Sequence, residues 1–340
     1  MPAQDIAYVE LYTGDHRSAL DYFGPALGFT RAAESDGSAG HSVLLRQGGV
    51  RLVVTEGPST RAFLDAHGDG IADIAFSCDD VAGTRDAALA AGASLVASEP
   101  GRVVVSGFGD TCHTLISSPD ATCLPAGRDW TDVSPGGSGP AARNWIRLLD
   151  HVAVCVTSGT LVECADFYAG GFGLSRYSGE YTEMGEQAMN SIVVRSPSGG
   201  ITFTLLEQDM SRKPGQIDGF LSRNDGPGVQ HLAFGVDDII SAVHDFSGQE
   251  IEFLHTPGAY YDMLAARLPG IQPEIADLRT ADVLADRDEW GYLLQLFTRS
   301  PYRRNTLFYE LIQRRGARGF GGANIKALYE AVERDGLAGK

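Results

Sequence analysis

The stretch Gly228–Val236, G-V-Q-H-L-A-F-G-V, is apolar on both faces of an extended strand except at Gln230 and His231. Val229, His231, Ala233 and Gly235 fall on one face of an extended strand, and Gln230, Leu232, Phe234 and Val236 on the other. Asp237 and Asp238 follow and suit a helix start, where acidic side chains accept from free N–H groups. The string recurs as Gly70–Val81, G-I-A-D-I-A-F-S-C-D-D-V, with Asp73 where His231 stands. A copy without the histidine points to a histidine that the fold itself does not need.

The same reading gives a strand at Ile6–Tyr12, a helix at Arg17–Leu27, and strands at Ser42–Arg46 and Val50–Glu56. A second unit runs from strand Ile71–Cys78 through helix Val81–Ala91 to strands at Ser94–Val96, Arg102–Val105 and Thr111–Ser117. Ser118–Trp145, rich in Pro, Gly, Ser and Asp, reads as a linker. Leu149–Val156 then matches Ile6–Tyr12, with His151 on Tyr8, and helix Leu161–Phe172 matches the first helix. Strands at Ala188–Arg195 and Gly200–Glu207 complete the third unit. The fourth is Gly228–Arg299, with helix Ile239–Phe246, an irregular stretch from Thr256 and strand Tyr292–Thr298; here Gln295 aligns on His113. Asn305–Arg314, a glycine-rich turn and helix Asn324–Arg334 read as an addition. The expected fold is α+β: four βαβββ modules paired into two open barrels. Residues 1–117 form the first pair, 118–145 the linker, and 146–340 the second pair with a C-terminal lid helix. The hollow side of each barrel is a natural ligand cavity.

Composition narrows the partners. A formal net charge of −17 over 340 residues argues against nucleic acid and anionic membrane. No apolar run approaches the ~18 residues of a membrane span. Cys78, Cys112, Cys123, Cys155 and Cys164 are odd in number and lack C-x-x-C spacing, as expected of reduced thiols in a cytoplasm.

Of the histidines, His16, His41, His67, His113, His244 and His255 read as solvated or satisfied in the core. His151 and His231 differ: each is inward on the first strand of a second-half module, and each has a non-ligand in the first half. Two readings stand, buried histidines held by carbonyls or a pair of metal ligands, and the repeat comparison favours the second. Glu310, inward between Phe308 and Ile312, is the best third ligand, with Glu207 and Glu289 as rivals. Two imidazoles and a carboxylate form the facial triad of non-haem Fe(II) oxygenases.

Asp150-His151, Gly228–Phe234, T-P-G-A-Y-Y (Thr256–Tyr261), G-Y-L-L-Q-L-F-T (Gly291–Thr298), F-Y-E-L-I-Q-R (Phe308–Arg314) and Gly319–Glu333 resemble the 4-hydroxyphenylpyruvate dioxygenase family. The resemblance implies the vicinal oxygen chelate fold, Fe(II) on His151, His231 and Glu310, and 4-hydroxyphenylpyruvate with O2 as substrates; a homodimer is a further expectation. The family has one branch that oxidises the substrate's ring and one that hydroxylates its benzylic carbon to give 4-hydroxymandelate. Thr204 and Leu206 in F-T-L-L-E, and Ile325 and Tyr329 in N-I-K-A-L-Y-E, depart from the ring-oxidising pattern and match the benzylic one. Gln295, Ser191 and Thr204 are candidate substrate contacts, although Ser191 and Thr204 also read as ordinary sheet residues bonding locally. Gln230 is expected to support His231, Phe320 to act as hinge or gate, and Asn324 to open the lid helix that carries Ile325 and Tyr329. A ligand-sequestering protein on the same modules is the reading outside the enzymes.

Overall fold

The computed structural model describes residues 3–37, 40–99, 102–117, 124–125, 127–133, 144–249 and 251–326. The first sheet is built from β1 (Ala3–Tyr12), β2 (Thr30–Gly37), β3 (Gly40–Gln47), β4 (Val50–Glu56), β5 (Gly70–Cys78), β6 (Leu95–Glu99), β7 (Arg102–Ser106), β8 (Cys112–Ser117) and β9 (Thr131–Asp132). The second is built from β10 (Ile146–Cys155), β11 (Ser175–Met184), β12 (Gln187–Arg195), β13 (Thr202–Gln208), β14 (Gly228–Val236), β15 (Leu284–Arg287), β16 (Tyr292–Phe297) and β17 (Phe308–Arg315). Their orders are 6-7-8-5-1-4-3-2-9 and 11-12-13-10-14-17-16-15.

The two sheets repeat one plan. β1 and β5 run antiparallel at the centre, each with its module's last strand parallel on its outer side, and β10 and β14 do the same. β5 is buried along its whole length, because helices and the other half cover one face and the cup contents the other. A single apolar core crosses between the halves: Phe76, His113, Tyr168, Phe172 and Phe203 meet there, with His113 bonded to the Ile74 carbonyl and the Tyr168 hydroxyl. Smaller clusters fill the cups.

Several expectations change. Phe308–Arg315 is not an addition but the last strand of the fourth module, equivalent to β8. Gln295 therefore lies on β16 and corresponds to β7, not to His113 on β8. β2 and β11 went unread because they are polar and largely exposed; solvent on both faces erases the alternation, and ladder bonds to β3 and β12 hold them. The stretch from Thr256 is helical at Gly258–Arg267 and Ile275–Thr280. The helix expected at Arg17–Leu27 is α only over His16–Asp21 and widens to a π turn at Tyr22–Ala26 around Pro25. The expected linker adds β9 to the first sheet through pairing with β2. Residues 322–326 are helical, so the turn begins two residues ahead of the expected start at Asn324; Tyr329 and the rest of the expected helix lie outside the described residues.

The first cup is filled by its own side chains. Tyr8 and Asp73 occupy the places of His151 and His231, and Thr114 donates to Asp73 through both N–H (2.9 Å) and hydroxyl (2.5 Å). Glu10 corresponds to Ala153 and receives Arg128 at 2.6 Å from the stretch read as a linker. Burial, then the charge of Glu10, pushes the Asp73 carboxyl up to about 7.

Candidate metal centre

β10, β14 and β17 lie side by side, which places His151, Ala233 and Glu310 in one row across them. His231 stands two residues before Ala233, on the same face, beside Ala153. The two alanines keep the wall low between larger side chains. His151 Nε2 is 3.4 Å and His231 Nε2 3.2 Å from Glu310 Oε2. One ligand atom from each residue falls within 4.8 Å of the others, and all three residues are buried. The rivals lie elsewhere. Glu207 accepts from Gly159 and Leu161 N–H at the start of helix Leu161–Phe172, and Glu289 is exposed.

Each imidazole is held from behind. Asp150 Oδ1 lies 2.9 Å from His151 Nδ1, and Arg314 grips both Asp150 oxygens at 2.7 and 2.8 Å. The Asp150 contact at Nδ1 fixes the ring so that Nε2 faces Glu310. Gln230 Oε1 lies 3.2 Å from His231 Nδ1. Phe308 stacks on the His231 ring at 5.0 Å, with Phe297 at 5.9 Å. Phe320 stands edge-on to His151 at 5.2 Å, and the Arg314 guanidinium covers it at 4.9 Å. Phe320 is thus a wall of the site.

Burial alone would lower the His151 pKa, but its bonds to Asp150 and Glu310 outweigh it and raise it to about 9. Burial would raise Glu310, yet the two histidines hold it below its usual range. His231 is lowered, since burial outweighs the pull of Glu310. Two nitrogens and one oxygen converging in an enclosed pocket are the donor set of a divalent transition metal, and they fit Fe(II).

Around the triad, Ala153, Cys155, Met184, Met189, Leu206, Ile217 and Phe220 make an apolar wall with Ile325 packed on it. Thr204 neighbours Ala153 on this wall; its hydroxyl is buried and has no hydrogen-bond partner among the described residues. Gln295 is buried on the inner face of β16, and its Oε1 accepts from Asn324 Nδ2 at 3.3 Å. Ser191 donates to the Glu180 carbonyl at 3.2 Å, the local bond of the alternative reading. The sequence reading gave no role to Asp150 and Arg314. A signal existed for Arg314, which falls on the inward face two steps beyond Glu310.

Comparison with known proteins bears on the family and the fold. The family described as "Hydroxyphenylpyruvate dioxygenase, HPPD, N-terminal" matches residues 1–118. The "Glyoxalase/Bleomycin resistance protein/Dioxygenase superfamily" matches residues 148–296. A 4-hydroxyphenylpyruvate dioxygenase of Yarrowia lipolytica is 32% identical over 96% of this chain and 91% of its own. One from Pyricularia oryzae is 34% identical over 81% of this chain and 70% of its own. A solved structure of a triply substituted 4-hydroxymandelate synthase from Streptomyces coelicolor has a TM-score of 0.88 at 52% identity, covering 98% of this chain and 99% of its own. On sequence, fold and site geometry together, the chain belongs to the 4-hydroxyphenylpyruvate dioxygenase family, on the vicinal oxygen chelate fold.

Proposed function

We propose that the protein is a 4-hydroxymandelate synthase that holds Fe(II) on His151, His231 and Glu310. The reaction is 4-hydroxyphenylpyruvate plus O2 giving 4-hydroxymandelate plus CO2, which balances without a further reductant. When bound, Fe(II) would supply the oxidising chemistry, by letting O2 react with the 2-oxo acid. The chain's own residues decide which carbon is oxidised. Asp150 keeps the His151 lone pair aimed inward, and Phe320 excludes water from one side. The apolar wall seats the aromatic ring.

The observation that carries the benzylic reading is the Thr204 hydroxyl, buried without a partner among the described residues in an otherwise apolar wall. A buried unpaired hydroxyl costs about 1–3 kcal/mol, which a phenol bonded to it recovers. Ile325, packed on that wall, is smaller than a phenylalanine and leaves room for the ring to turn, bringing the CH2 to the metal. The 52% identity to a 4-hydroxymandelate synthase structure supports the same reading. The test is to load the purified protein with Fe(II) anaerobically, admit O2 and 4-hydroxyphenylpyruvate, and identify the product by NMR. 4-Hydroxymandelate is expected. Homogentisate as the main product overturns the reading in favour of the ring-oxidising branch, and absence of O2 uptake in favour of a binding protein.

A further inference from the structure

Asn324 is wholly buried, and both ends of its amide are engaged. Its Oδ1 is 2.7 Å from the Tyr260 hydroxyl and 3.2 Å from Arg267 Nη2, while its Nδ2 is 3.3 Å from Gln295 Oε1. An amide can be turned end for end, so the polarity needs a physical reason. Arg267 supplies it: a guanidinium donates and never accepts, so the Asn324 atom it meets is the oxygen. Tyr260 agrees. Its oxygen accepts from Ala285 N–H at 2.9 Å, which leaves its one proton for Asn324. The Ala285 carbonyl, also within reach of Tyr260 at 3.0 Å, has Arg267 Nη2 as an alternative donor at 3.2 Å. Asn324 must then present its NH2 to Gln295, and Gln295 must accept with its oxygen. The Gln295 NH2 is left over, and it meets no acceptor among the described residues.

This free donor lies on the cup side of β16. Gln295 pairs with Ile312 and stands two residues before Phe297, which pairs with Glu310. Gly321, at φ +74°, lies flat on the amide: a Cβ there would sit 2.0 Å from Gln295 Oε1. Tyr260 and Arg267 belong to helix Gly258–Arg267, part of an insertion between helix Ile239–Ser247 and β15. The second module has no counterpart, since its helix Val81–Ala90 leads almost directly to β6.

We propose that Tyr260 and Arg267 are positioning residues. Acting through Asn324, they fix the polarity of the Gln295 amide so that it donates to an acceptor oxygen of the 2-oxo-acid substrate. This rests on the substrate reading above.

The test is anaerobic calorimetric titration of the Fe(II)-loaded protein with 4-hydroxyphenylpyruvate, with melting temperature as a fold control. Arg267→Met is expected to weaken binding about tenfold, and Arg267→Lys, which keeps a donor, to recover most of the loss. In a Gln295→Leu background Arg267→Met is expected to add less than about twofold, because its effect travels through Gln295. Tyr260→Phe carries the same cycle if Arg267→Met does not fold. The proposal is overturned if Arg267→Met or its substitute binds like the parent, or costs as much in the Gln295→Leu background as alone. If the unsubstituted protein binds no 4-hydroxyphenylpyruvate, the substrate reading falls first, and this proposal with it.

Discussion

Ile325 and Asp73 show how single side chains separate the two halves of this chain. Ile325 packs on the wall formed by Ala153, Cys155, Leu206 and Phe220. Replacing it with phenylalanine presses a flat ring into that space and restores the residue of the ring-oxidising pattern. Ile325→Phe is expected to divert a measurable share of product, by chromatography, from 4-hydroxymandelate to homogentisate or a ring-oxidised intermediate; about 1.4 kcal/mol in relative barrier is a tenfold ratio. Asp73, at a ligand's place in the other cup, makes a different prediction. Its folded pKa, about 7, lies above the ordinary carboxylate value, so the folded state resists its ionisation. Stability from this group is fullest below about pH 4 and is lost as pH rises through 7. The melting temperature of Asp73→Asn is therefore expected to gain on the parent between pH 5 and pH 8; a constant difference contradicts the account. Alternation along strands revealed His151, His231 and Glu310, because facing follows from period two. It did not reveal the Asp150–Arg314 clamp, because a face says nothing about which neighbour a side chain bonds.

Elements were legible where at least one face is apolar. Helix Leu161–Phe172 falls where its spacing predicts, with Leu161, Ala165, Tyr168 and Phe172 buried on one side. β2 and β11 lacked such a face and were missed. The Pro- and Gly-rich stretch was misread for a related reason: composition marks a lack of regular structure, not a lack of contacts. Arg128 from that stretch reaches Glu10, whose side chain is only 4% exposed, and also bonds Ser42 and Thr55. Arg128→Ala leaves a buried carboxylate unpaired and is expected to cost roughly 3–5 kcal/mol in chemical denaturation. Iron content of the folded variant is expected to be unchanged, because the triad stands in the other sheet. Loss of less than about 0.5 kcal/mol would mean that the Arg128–Glu10 pair behaves as a solvated surface pair.

At the scale of the whole molecule, one plan is used twice to different ends. Four modules pair into two sheets, and a shared core locks them back to back. The repeat itself was visible in the sequence, and so was the loss of ligands from its first half. The helical insertion of the fourth module was not, since Thr256–Asp282 mixes Gly, Pro and charges and shows no clean period. In the first cup a hydrogen-bonded tyrosine, aspartate and threonine, with an arginine–glutamate pair, close the space. In the second, the same positions bring two imidazoles and a carboxylate together. The central claim is that this asymmetry is the function: one cup is structural and the other holds the metal. Anomalous diffraction at the iron absorption edge, on crystals of Fe(II)-loaded protein grown without oxygen, tests it most directly. The account predicts one peak per chain, bonded to His151, His231 and Glu310. A peak in the first cup, or iron held by other residues, would contradict it.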